Sequence, residues 1–154
     1  MREVWVYRPS TVIFIALAAG VALGHKGATG VVAERMAIMK NMGRELKSIA
    51  DLLAAPTLFD PAAAIRHAHV FHEHCHKTTS TLFPPGSIDH HSRALPTIWE
   101  KPGAFKEEIQ QLHSAAEALV AAAASGDRAK LTAAVRDVQE TCTECHETFR
   151  RPED

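Results

Sequence analysis

The run Cys142-Thr143-Glu144-Cys145-His146 carries the most chemistry in this chain. On a helix, two thiols three residues apart lie on neighbouring positions of one face. Each can form a thioether with one of the two vinyl groups of a single porphyrin. A histidine directly after the second thiol is then held beside the ring plane, with an imidazole nitrogen available to iron. This is the pattern of c-type haem attachment. Cys142 and Cys145 are therefore expected to hold one covalent haem c, with His146 as an axial ligand of its iron. Other uses of a CxxC pair are weaker. A redox-active dithiol needs a βαβ setting, and a zinc site needs a second ligand pair that only three cysteines do not supply. A plain structural disulfide is the remaining alternative. The adjacent histidine, an export signal and a helical setting favour haem over it.

Four segments with apolar residues at three-four spacing must position this motif. The first covers residues 30–54, with Val32, Met36, Met39, Met42, Leu46, Ile49 and Leu53 on its stripe and Pro56 as its stop. The second opens at Asp60-Pro61, a cap followed by proline at the first helical position. Its stripe is Ala64, Ala68, Phe71, Cys75, Thr78 and Leu82, and Pro84-Pro85-Gly86 stops it. An irregular crossover follows over residues 84–101. The third helix covers residues 102–124, with Phe105, Ile109, Leu112, Ala116 and Leu119 inward. Ser125-Gly126-Asp127 breaks the chain, and Asp127 caps a fourth helix carrying Leu131, Val135, Val138, Cys142, Cys145 and Phe149. No segment alternates with the period of a strand. The expectation is all-α: an antiparallel four-helix bundle with its covalent haem docked into the core.

The amino-terminal residues differ from the rest. Arg2 and Arg8 precede an apolar run over residues 11–23, and Ala22-Leu23-Gly24 has the small-x-small form of a cleavage site. The run is short for a membrane span. Residues 1–24 are read as a signal peptide and residues 25–154 as the bundle domain, exported to the periplasm. The formal net charge of −1 and the lack of a basic stripe give no nucleic-acid partner.

Beyond the haem motif, the sequence resembles the cytochrome c' family. The resemblance rests on residues 142–150 (CTECHETFR), 95–105 (LPTIWEKPGAF), 83–87 (FPPGS) and 34–43 (ERMAIMKNMG), and covers nearly all of residues 25–154. It implies a left-handed four-helix bundle with the haem near one end, in the periplasm, often as a homodimer. It also implies that the residue facing the far side of the iron comes from the stretch Ile38-Met39-Lys40, which makes it Met39. A thioether there can ligate haem iron, and His/Met ligation raises the reduction potential. That gives a one-electron carrier working with small redox proteins or respiratory-chain components. The family's other branch keeps a five-coordinate iron that binds nitric oxide or carbon monoxide, in which case Met39 is a distal gate. Against both stands the use of Met36, Met39 and Met42 as adaptable core filler. Arg35 matches a position that reaches a haem propionate. Arg150, one turn after His146, could sit over its imidazole or a propionate. For both arginines an ordinary solvated charge is the alternative. Trp99 is read as packing at the bundle mouth.

An enzyme is not expected, since no general base or nucleophile cluster adjoins the motif and the residues around Met39 are apolar. The resemblance does not account for the histidines at 67, 69, 72, 74 and 76 on the second helix. His72 and His76 could chelate a metal ion across one turn. No carboxylate or thiolate on that helix face completes a site, which favours a solvated face whose charge rises below neutral pH. Cys75 among them reads as a small buried hydrophobe. His25, at the new amino terminus after cleavage, offers copper an amine and an imidazole.

Overall fold

The computed structural model describes residues 27–55, 59–78 and 80–152. The signal segment, His25 and the Pro56 stop lie outside them. Among the described residues five α-helices follow in order: α1 Gly30–Ala54, α2 Pro61–Lys77, α3 Thr97–Glu100, α4 Pro102–Ala124 and α5 Arg128–Phe149. The four long ones form the expected bundle. The α1/α2, α2/α4 and α4/α5 seams are closely packed, whereas α1 and α5 touch sparsely.

The caps read from the sequence hold the helix starts. Asp60 accepts a hydrogen bond from the Ala63 amide at 3.1 Å, with Pro61 at the first position of α2. Asp127 accepts from the amides of Ala129 and Lys130 at 2.9 and 3.1 Å, satisfying two donors at the start of α5. Gly126 before it has φ +69, a left-handed turn open to glycine without cost. The inward stripes meet in one core. Ile49, Phe71, Cys75, Leu119 and Val138 are fully enclosed, and Ala64, Ala68 and Ala116 let the backbones approach closely.

The structure departs from the expected boundaries in the crossover. α2 ends at Lys77 rather than reaching the proline stop; Thr78 leaves the helix and a 3-10 turn, Ser80–Leu82, follows. Thr78 and Leu82 are buried all the same. The stretch taken as irregular contains α3 and a single antiparallel bridge between Ala94 and Arg150. Around that bridge the Leu95 amide donates to the Phe149 carbonyl at 3.0 Å and the Arg151 amide to the Arg93 carbonyl at 2.8 Å. The Thr97 hydroxyl donates to the Thr148 carbonyl at 3.0 Å. The crossover thus staples the carboxyl end of α5. Phe83, Phe105 and Phe149 stack edge to face at 4.7 and 5.1 Å and join crossover, α4 and α5. Trp99 donates its indole N–H to the Phe83 carbonyl at 2.9 Å, a packing role.

Glu45 of α1 is only 7% exposed and accepts from Nδ1 of His67 on α2 at 2.7 Å. Burial pushes the Glu45 carboxyl up, but the hydrogen bonds and charges of His67 and Arg44 outweigh it and leave the pKa below its ordinary value. A depressed carboxylate contributes stability that is complete above the unfolded pKa, about 4.3, and lost as pH falls through the lower folded value. Denaturant midpoints of the holoprotein from about pH 6 down to about pH 3 are expected to fall less steeply in Glu45→Gln than in the wild type. Parallel slopes would show that the pair does not couple folding to protons.

Candidate haem-binding site

The sparse seam between α1 and α5 opens into a cavity of about 680 Å³ with mainly apolar walls. α1 lines it with Arg35, Met36, Met39 and Met42, and α5 with Cys142, Cys145, His146 and Phe149. α2 contributes Phe71, α4 contributes Phe105, Glu108 and Ile109, and Arg150 closes the end. All six residues singled out from the sequence, Cys142, Cys145, His146, Met39, Arg35 and Arg150, therefore border one space.

The helical register explains the arrangement. Cys142 and Cys145 continue the inward stripe of α5 one turn beyond Val138, where α1 no longer covers it. They are half-buried, and both thiols are free. Burial raises both thiol pKa values, that of Cys145 to about 12 with the neighbouring Glu108 and Cys142 contributing. His146 is exposed as a whole, yet partial desolvation of its ring, then the charges of Arg150 and Arg93, lower its pKa. The neutral imidazole, the form that binds a metal, is thereby favoured. On the facing helix the inward set differs slightly from the stripe as read. Ile38 is buried in the core, whereas Met36 and Met39 are half-buried because they face the cavity. Core filler therefore describes Met42, at 5% exposure, better than the other two.

Arg35 is not a solvated charge: it is 4% exposed. Its Nη1 donates to the Leu82 carbonyl at 3.1 Å and the Ser87 hydroxyl at 3.3 Å. Its Nη2 donates to the Ser87 carbonyl and the Ser92 hydroxyl, both at 2.9 Å. The guanidinium also lies 4.7 Å from the centroid of the Phe83 ring. With both terminal nitrogens turned to the crossover, the Nε–H is the donor left for any group in the cavity. Arg150 caps α5 through its amide, which donates to the His146 carbonyl at 3.1 Å.

Glu108 was not singled out from the sequence. It lines the cavity, and one carboxylate oxygen is buried with no hydrogen-bond partner among the described residues. Burial, then the like charges of Glu144 and Glu107, raise its pKa. The signal was present: Glu108 lies between Phe105 and Leu112 at i+3 and i+7, a carboxylate on the inward face of α4.

Comparisons with known proteins bear on this geometry. The family model described as Cytochrome C' matches residues 30–150. The chain belongs to the cytochrome c' family. It is 36% identical to cytochrome c-554 of Cereibacter sphaeroides over 120 residues, 76% of this chain and 78% of that protein. It is 34% identical to cytochrome c' of Rhodopseudomonas palustris over 137 residues, 88% of this chain and 90% of that one. Among solved structures, the nitric oxide complex of a mutant cytochrome c prime from Alcaligenes xylosoxidans superposes with a TM-score of 0.73 at 26% identity, covering 80% and 94% of the two chains. Cytochrome c' proteins bind one covalent haem c, and this chain is a haem c protein of that family. The residues present fit the group: a cavity of cofactor size with apolar walls, two free thiols one turn apart, and an imidazole beside them.

Proposed function

We propose that the protein is a periplasmic one-electron carrier, exported by residues 1–24. When bound, the haem supplies an Fe(III)/Fe(II) couple. Cys142 and Cys145 would hold the ring to α5 through thioether links. His146 would offer the iron an imidazole nitrogen from α5, and Met39 a thioether sulfur from α1. The surrounding phenylalanines and Ile109 keep water from the ring, and Arg35 and Arg150 offset the propionate charge. The observation that carries this reading is that Met39 and His146 border the same cavity from two different helices. Its partners would be small redox proteins or respiratory-chain components.

A second reading has its own support. A relative of this fold is described as a nitric oxide complex, and an apolar wall of Met36 and Met39 would suit a diatomic ligand. His146 would then be the protein's one ligand to the iron, and Met39 a gate. Optical spectra of the ferric and ferrous holoprotein, with and without carbon monoxide, separate the two. A low-spin spectrum unmoved by the gas supports the electron carrier; a high-spin spectrum that shifts supports the gas binder. Met39→Ala is expected to turn a low-spin, gas-insensitive protein into a high-spin one that binds carbon monoxide, with a lower reduction potential. A variant spectrum identical to wild type would remove Met39 from the ligand set.

A further inference from the structure

On the far side of the bundle from the α1/α5 seam, α2 and α4 bring three ligand-bearing side chains together. We propose that His72, His76 and Glu117 form a binding site for a divalent ion of the zinc class, bridging α2 to α4. The proposal is independent of how the haem iron is ligated.

His72 and His76 stand one turn apart on α2, and their Nε2 atoms are 3.0 Å from each other. Two nitrogens on one tetrahedral ion, each at about 2.0–2.1 Å, are separated by about 3.3–3.4 Å. A few tenths of an ångström of opening therefore admits the ion. The two rings meet edge to face at 82°, with nitrogen facing nitrogen rather than ring stacked on ring. The third donor comes from the neighbouring helix. A carboxylate oxygen of Glu117 and the two imidazole nitrogens all lie within 4.8 Å of one another. The face of α2 alone carries no such carboxylate, and only the α2/α4 packing supplies it.

The site is partly organised. His113 of α4 has its Nε2 2.9 Å from the Cys75 carbonyl and 3.1 Å from the Thr78 carbonyl, so that nitrogen carries the proton and donates. Its ring packs 5.2 Å from that of His76 and steadies it. His76 and Glu117 are exposed, which gives an ion direct entry. Partial burial and the neighbouring His76 lower the pKa of His72, against Glu117, which raises it. Two imidazoles and one carboxylate suit zinc or copper and leave the fourth position to water. Both helices also wall the haem cavity, through Phe71 on α2 and Ile109 on α4. An ion here would brace the back of that cavity.

The test is calorimetric titration of the haem-loaded protein with zinc chloride, alongside thermal unfolding with and without zinc. The wild type is expected to bind zinc and to melt at a higher temperature with it. Outer-shell changes alone cost about 10–100-fold in metal affinity, so His72→Ala and Glu117→Gln should each weaken binding by more than about tenfold. His69→Ala, on the same helix outside the cluster, should bind as the wild type does. Retained affinity in Glu117→Gln with loss in His72→Ala would reduce the site to a chelate on α2 and overturn the bridge. Wild-type affinity in His72→Ala, or no binding by the wild type, would overturn the site altogether.

Discussion

The double variant Cys142→Ser/Cys145→Ser is expected to lose its covalent haem and, with it, its rigid fold. In denaturing electrophoresis the haem should travel with the wild-type polypeptide and be absent from the variant band. The structural consequence follows from the size of the space left behind. A cavity of about 680 Å³, at ~24 cal/mol per Å³ of unfilled apolar volume, corresponds to ~16 kcal/mol. That is an upper bound, since the cavity opens to solvent at its mouth. It still exceeds the ~5–15 kcal/mol by which domains are usually stable. In the apoprotein the space is expected to flood, or α1 to close toward α5. Far-ultraviolet circular dichroism should keep much of its helical signal, while the near-ultraviolet signal is lost and dye binding to apolar surface rises. A variant that retains covalent haem would show that the attachment lies elsewhere.

Arg35→Ala is the second substitution with a large expected effect. The guanidinium holds Leu82, Ser87 and Ser92 through four hydrogen bonds and covers the Phe83 ring. Truncation leaves buried acceptors without partners, and the loss is expected at about 3–5 kcal/mol in denaturant unfolding of the holoprotein. Arg35→Lys should recover less than half of this, because one ammonium cannot reach four acceptors arranged around a planar fork. Were the main role an ion pair with a propionate, the lysine variant would restore most of the stability. An alanine variant as stable as the wild type would show that the crossover is held by other contacts.

The bundle was legible because its helices are separately amphipathic. Each three-four stripe states which face turns inward, and Asp60 and Asp127 mark two helix starts. The haem motif was legible because its chemistry is local, within five consecutive residues. What could not be read depends on neighbours distant in sequence. Arg35 and Glu45 look like surface charges until Ser87, Ser92 and His67 are brought against them. The crossover bridge needs the end of α5 in place before Ala94 has anything to pair with. Glu117 belongs to a different helix from the histidines it approaches, so one helix face gives no hint of it. The stripe of α2 outlasts its helix because the 3-10 turn carries Leu82 back toward the core. Met36 and Met39 sit on the same stripe as Met42, and only the opening between α1 and α5 sets them apart.

The stapling of α5 to the crossover separates two tasks by helix. His146 and both cysteines lie on the stapled helix, whose end is fixed by backbone pairing that no single side chain controls. Met39 lies on α1, across the loosely packed seam, on an unbranched and adaptable side chain. The residue proposed to face the iron and the residues proposed to anchor the haem therefore stand on different helices. Under the proposed ligation, a substitution at Met39 alters the sixth position while the pairing that holds the end of α5 stays as it is.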